Sequence, residues 1–263
     1  MRDFNYKKKF GQNFLKNDGI VEKIALKSQI LEDTMVVEVG PGKGILTKQL
    51  SKYAKNVLCY EIDEELQYDL IKLQEKYSNV DVKFCDFLCT NLMEDLKKYS
   101  YKHLYFISNV PYYITTPILM KIMESKLPFE KIVMMVQKEV GDRFSAIPGT
   151  KNYSSITVFL NYYYDISKLF NVNRSEFIPM PNVDSEVICF EQKKERLQAK
   201  DEKFFFNLVR DSFKFKRKTI KNNLKNYNLE IIEEVLKNHG FDLNSRAETI
   251  PYELFIEISN ALS

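Results

Sequence analysis

The 263-residue chain has no tryptophan, two histidines and four cysteines, and each scarcity removes a class of chemistry. With only His103 and His239, a histidine-centred triad or a multi-histidine metal centre has almost no material. Cys59, Cys85, Cys89 and Cys189 form no C-x-x-C pair, and no second pair or histidine completes a zinc set around Cys85 and Cys89. Four reduced thiols and no metal are therefore expected. No apolar run approaches the roughly 20 residues that cross a bilayer. Met1–Phe10 is charged and polar, without the apolar core of a secretory signal. These absences lead to the expectation of a soluble, cytoplasmic protein that is no membrane partner. No heptad or long apolar stripe calls for an oligomer, so a monomer is expected. The net charge of +3 says little, but the cations cluster at Lys7–Lys9, Lys193–Lys194 and Lys214–Lys225, which is compatible with a polyanionic partner.

The first two-thirds of the chain alternate short apolar runs with amphipathic segments. Met35–Val39, Asn56–Glu61, Val80–Phe84, His103–Ser108 and Lys131–Val136 read as strands. Ile45–Tyr53, Glu64–Tyr77 and a stretch through Ile118, Leu119 and Ile122 read as the helices between them. Alternation of this kind builds βαβ crossovers and a doubly wound, mostly parallel α/β sheet with helices on both faces. After Gly149, the segments Ile156–Tyr164, Ile166–Val172 and Val187–Gln192 read as extended and aromatic, suggesting an antiparallel edge. Beyond residue 195 the periodicity is helical, with stripes at Phe204, Phe205, Leu208 and Val209, at Ile231, Ile232, Val235 and Leu236, and at Leu254, Phe255 and Ile258. The expected domains are 1–194, binding a cofactor, and 195–263, small and all-helical.

Glycine is sparse, yet three of the eight fall within five positions, in Glu38-Val-Gly40-Pro-Gly42-Lys-Gly44. A lone glycine-rich loop is as often a plain turn as a binding site. This one follows an apolar strand and opens a helix, and Glu61 ends the next strand, where a carboxylate can accept hydrogen bonds from two ribose hydroxyls. The G-x-G-x-G spacing departs from the dinucleotide fingerprint, and Lys43 is not in a P-loop setting. An acid before such a loop resembles the cofactor loop of class I methyltransferases. Asp86 would then meet the adenine amine of the cofactor, a role compatible with capping a turn.

Asn109-Val110-Pro111-Tyr112 follows the fourth strand. On composition alone this is a strand-to-helix turn. In company with the glycine loop it resembles the N/D-P-P-Y/F and N-hydrophobic-P-Y loops of methyltransferases acting on the adenine amine. The N6 lone pair is delocalised into the ring and is a poor nucleophile. The Asn109 side-chain carbonyl and the Val110 backbone carbonyl can accept both N6 hydrogens, Pro111 stiffens the turn, and Tyr112 can stack on an extracted base.

Further segments match one family: Lys8-Lys-Phe-Gly-Gln-Asn13-Phe-Leu15, Gln137–Val140 with Arg143, Pro148–Tyr153, Phe177-Ile-Pro-Met-Pro181-Asn-Val-Asp184-Ser185, Phe213–Leu224 and Arg246-Ala-Glu248. Over nearly its whole length the chain resembles the KsgA/RsmA family of small-subunit ribosomal RNA adenine N6,N6-dimethyltransferases. The resemblance implies a class I methyltransferase domain with a Rossmann-like sheet and a helical C-terminal domain. It implies S-adenosyl-L-methionine as cofactor and, as partner, 16S rRNA in the small ribosomal subunit or its precursor. Two adjacent adenosines of the 3′-terminal hairpin would each receive two methyl groups, with a role in subunit biogenesis. Asn13, Leu15, Gly40, Gly42, Glu61, Asp86 and Asn109 would line the cofactor site, and Phe177 would offer its ring to the target base or serve as a core aromatic. Tyr113 stands where the family more often has Asn. The basic run with Lys216, Arg217 and Lys218 would hold RNA phosphates, although most such runs are solvated helix faces. Three alternatives remain at this point: an Erm-type 23S rRNA methyltransferase, a noncatalytic ribosome-assembly or RNA-binding factor, and, more distantly, a nicotinamide-dependent dehydrogenase.

Overall fold

The computed structural model describes residues 13–263. The Lys7–Lys9 cluster and the Lys8–Gln12 part of the N-terminal motif lie outside them. The chain forms two compact units, one of residues up to Gly141 with Ser167–Glu191, the other of Asp142–Ile166 with Gln192–Ser263. It passes between them three times, the last a few residues before 195.

In the first unit a short strand β1 (Phe14–Leu15) precedes α1 (Asp18–Lys27), which the Asn17 side chain caps by accepting from the Gly19 N–H. The succession is then β2 (Thr34–Val39), α2 (Ile45–Leu50), β3 (Asn56–Glu61), α3 (Gln67–Lys76), β4 (Val80–Phe84), α4 (Leu92–Leu96), β5 (His103–Ser108), α5 (Thr115–Glu124) and β6 (Lys131–Gln137). Further along the chain come α6 (Lys138–Phe144), α7 (Ser155–Tyr163), which belongs to the second unit, and then β7 (Tyr164–Val172), β8 (Phe177–Ile178) and β9 (Ser185–Gln192). Seven strands form one sheet in the order β4-β3-β2-β5-β6-β9-β7. The pairs from β4 to β6 are parallel, and β9 runs antiparallel to β6 from Lys131↔Glu191 to Gln137↔Ser185. The expected doubly wound sheet with an antiparallel edge is therefore present.

All six residues of β2 are buried, as a central strand covered on both faces requires. Val36, Val57, Cys59, Tyr105, Ile107, Val133 and Val187 from the sheet pack with Val21, Ile24, Leu46 and Leu50 from the helices. Each fully buried aliphatic side chain contributes about 1.5–3 kcal/mol, which fixes the sheet as a rigid base. From β2 the chain winds outward to β4, then returns to the other side of β2 at β5. That reversal opens a crevice at the carboxyl ends of β2 and β5, where open α/β sheets bind ligands.

The second unit is built from α7, α8 (Glu202–Ser212), α9 (Ile220–Asn223), α10 (Leu229–Asn238) and α11 (Tyr252–Leu262). Phe205, Leu208, Val209, Ile232, Leu236, Leu254, Phe255 and Ile258 are buried, as the helical stripes require. One expectation is corrected here: of Ile156–Tyr164, only Tyr164, where β7 begins, is extended. Ser155–Tyr163 forms α7, with a reciprocal cap between Ser154 and Thr157 and with Val158, Phe159, Leu160 and Tyr162 buried. Its rings meet those of α8, Phe159–Phe206 at 4.9 Å and Tyr162–Phe205 at 4.8 Å. Aromatic packing overrides the strand propensity of the segment.

Candidate active site

The loop after β2 and the loop after β5 share the walls of one cavity of ≈ 310 Å³. Gly40 and Gly42 adopt φ of +71° and +59°, a left-handed backbone that glycine takes without steric cost. The close approach matters as well, because a Cβ on Gly42 would stand 2.7 Å from Phe14 Cε1. The Gly42 N–H donates to Glu61 Oε2 at 3.1 Å, while the Ile62 and Asp63 N–H groups donate to Oε1, each at 2.9 Å. Three backbone donors thus fix the orientation of this buried carboxylate, and lone pairs remain for a ligand. Burial raises the Glu61 pKa, and these three donors oppose the shift.

Beneath the loop lies a second buried acid. Glu38 Oε2 accepts from the Thr47 hydroxyl at 2.7 Å and from the Cys59 thiol at 3.5 Å. Burial pushes its carboxyl up to about 7, and the nearby Glu61 charge adds to the rise. Asp86 follows β4 and accepts from the Leu88 N–H at 2.9 Å, so it caps a 3-10 turn while also lining the cavity.

Ser108 ties the two loops together. Its Oγ donates to the Val39 carbonyl at 2.6 Å and accepts from the Val39 N–H at 3.3 Å. Directly above, Pro111 Cδ stands 3.4 Å from where a Gly40 Cβ would be. Asn109 is half-buried on the cavity wall, and the Val110 side chain is buried and anchors the loop. Tyr112 begins a 3-10 turn after Pro111, and its hydroxyl is 2.7 Å from Ser185 Oγ at the start of β9.

All seven residues expected at the cofactor site line this cavity, as do Val110, Pro111 and Tyr112. Phe177 is corrected: it is 1% exposed and packs in the core cluster with Leu15 and Val172, so its ring offers no face to a base. Its strand β8 pairs with β1, Leu15↔Phe177, which carries the ring inward. Lys216, Arg217 and Lys218 are exposed, but in turns between α8 and α9 rather than on a helix face, and the Lys216 ammonium donates to the Lys151 carbonyl at 2.9 Å. Sequence reasoning passes over Phe14, which covers the glycine loop, and Ser108. Only the pairing of distant segments reveals either one.

The comparisons with known proteins agree with this geometry. A family model described as ribosomal RNA adenine dimethylase matches residues 3–263. A ribosomal RNA small subunit methyltransferase A from Bacillus cytotoxicus is 42% identical over 98% of this chain and 92% of that protein. Its counterpart from Bacillus mycoides is 41% identical over the same shares. Among solved structures, a dimethyladenosine transferase from Plasmodium falciparum is similar with a TM-score of 0.76 at 28% identity, covering 93% of this chain and 95% of that one. The 23S rRNA methyltransferase ErmE is similar with a TM-score of 0.75 at 25% identity, covering 95% and 99%. The sheet is that of class I methyltransferases, and the chain belongs to the ribosomal RNA adenine dimethylase family.

Proposed function

We propose that the cavity holds S-adenosylmethionine and that the Asn109–Tyr112 loop presents the N6 of an adenosine to it. The chain is a ribosomal RNA adenine dimethyltransferase, and its substrate in this reading is a pair of adjacent adenosines in the 3′-terminal hairpin of 16S rRNA. The observation that carries the cofactor assignment is the charge of the cavity. Glu61 and Asp86 line it together with Glu38, whose carboxyl burial raises to about 7 so that it is only partly ionised at neutral pH, against Lys43 as the one cation among the described residues there. An acidic wall repels the pyrophosphate of a nicotinamide dinucleotide and suits a nucleoside that carries a positive charge. The volume also falls within the roughly 300–1,000 Å³ of small-molecule sites.

S-adenosylmethionine supplies a methyl group made electrophilic by its sulfonium. The chain's residues do the rest by positioning. Glu61, held by three backbone N–H groups, accepts from the ribose hydroxyls, and Asp86 accepts from the adenine amine. On the other side, in the first transfer the Asn109 side-chain carbonyl and the Val110 backbone carbonyl accept the two N6 hydrogens. That arrangement favours a pyramidal nitrogen whose lone pair faces the methyl group. Each methylated, cationic nitrogen then releases one proton to water, and in the second transfer the single remaining N6 hydrogen is accepted there. Tyr112, tethered to Ser185, supplies a stacking face for the extracted base. Phe177 has no part in this account. In the second compact unit, Lys216, Arg217 and Lys218 contact RNA phosphates, which orients the substrate without reading its sequence.

The test is transfer of labelled methyl from S-adenosylmethionine to unmethylated small and large ribosomal subunits, followed by nucleoside analysis. Dimethyladenosine appearing in small-subunit RNA alone, with kcat reduced about 10²–10³-fold by Asn109→Ala, is the expected result. Label in large-subunit RNA would move the chain to the specificity in ErmE's name, and no label in either would overturn the catalytic assignments.

A further inference from the structure

Tyr112 and Tyr113 are consecutive, yet they serve opposite sides of the cavity. Both belong to the 3-10 turn Tyr112–Ile114, in which successive side chains point about 120° apart. The sheet order β4-β3-β2-β5-β6-β9 gives those directions meaning. The turn rises from β5 in the middle. Tyr112 reaches Ser185 on β9, on one side of that strand. Tyr113 also lines the cavity, and burial there raises its phenol pKa, together with the charges of Asp86 and Glu61. Those carboxylates sit at the ends of β4 and β3, on the other side.

Tyr113 is 57% exposed while it lines the cavity, so its ring is open to a ligand seated there. Ile62, the residue after Glu61, lines the same cavity and is 46% exposed. An aromatic and an aliphatic face therefore stand at the rim of the half that holds the two nucleoside-binding acids. We infer that Tyr113 is a cofactor-binding residue, its ring closing over the adenosine portion of S-adenosylmethionine while Tyr112 serves the target base. This inference rests on the reading of the cavity as the cofactor site. The Tyr113 contact is with the nucleoside, so it does not depend on the amino-acid tail of the ligand.

The test is calorimetric titration of the full chain with S-adenosylhomocysteine and with methylthioadenosine, which keeps the nucleoside and lacks the amino-acid tail. Tyr113→Ala is expected to weaken both ligands equally, about 3- to 10-fold, the range for loss of one aromatic contact. Tyr113→Phe is expected to bind as the parent does. In methyl transfer, Tyr113→Ala should raise KM for S-adenosylmethionine and leave kcat and the KM for RNA unchanged. Affinity for both ligands within twofold of the parent would overturn the proposal, and a loss confined to RNA would assign the ring to the substrate instead. Glu61→Gln separates the two layers. If it weakens S-adenosylhomocysteine while Tyr113→Ala does not, only the Tyr113 proposal fails. If neither variant has an effect, the cavity is not the cofactor site.

Discussion

Replacing Glu38 with Gln is expected to stabilise the ligand-free protein at alkaline pH and to have little effect in acid. The Glu38 side chain is buried under the glycine loop, and its pKa rises from 4.5 to about 7. In the unfolded chain the same group ionises near its ordinary value. Between those two pH values the folded state holds a proton that the unfolded state has released. Stability is thus fully present below about pH 4.5 and is lost as pH rises through about 7. The difference corresponds to at most roughly 3 kcal/mol, at about 1.4 kcal/mol for each pH unit. A glutamine does not titrate, and its carbonyl can still accept from the Thr47 hydroxyl that bonds Glu38 at 2.7 Å. Thermal melts of the two proteins at pH 5 and pH 8 decide the matter. Glu38→Gln should melt several degrees higher than the parent at pH 8, about 6–12 °C if the full penalty is relieved, and the gap should narrow toward pH 5. A gap independent of pH, or one that widens in acid, would refute the reasoning.

Three other outcomes are expected. Gly42→Ala forces a Cβ into a left-handed backbone, which costs about 1–2 kcal/mol, and pushes it against Phe14, so calorimetry should show S-adenosylhomocysteine binding weakened about tenfold along with a lower Tm. Ser108→Ala leaves the Val39 N–H and carbonyl without their buried partner, and chemical denaturation should show a loss of about 1–3 kcal/mol. Changing Lys216, Arg217 and Lys218 together to Glu should weaken RNA binding and flatten the dependence of log Kd on log salt by about two units or more, as read from filter binding over a salt series.

The sheet was largely legible because a parallel strand buried on both faces leaves a near-continuous apolar run, as in Met35–Val39, and the first four runs end at loops that contain Gly, Asp or Asn. Both loops of the site announce themselves by residue type. The α7 segment misleads because Ile156, Thr157, Val158, Phe159, Tyr162 and Tyr163 all favour strands. Its correct signal is subtler: a serine cap at 154 followed by a run without period-two alternation. Helix α1 has no counterpart in the sequence reading, although Asn17 before Val21, Ile24 and Ala25 carries its cap and apolar face. The burial of Phe177 could not be read locally, since it depends on β8 pairing with a strand more than 150 residues earlier. The turns that carry Lys216–Lys218 were masked by helical periodicity on both sides.

The hydrogen bonds of Ser108 to Val39 have a consequence for how the site can vary. The loops proposed to hold methyl donor and acceptor leave neighbouring parallel strands, β2 and β5, at the same level. The ladder sets the spacing of the two strands at the interstrand repeat, about 4.8 Å, up to Val37↔Phe106, and the Ser108 hydroxyl carries it two residues further to the loops. That repeat acts as a ruler built into the backbone. Substitutions in either loop can change what is gripped, but the gauge between the two grips stays constant as long as the strands remain paired.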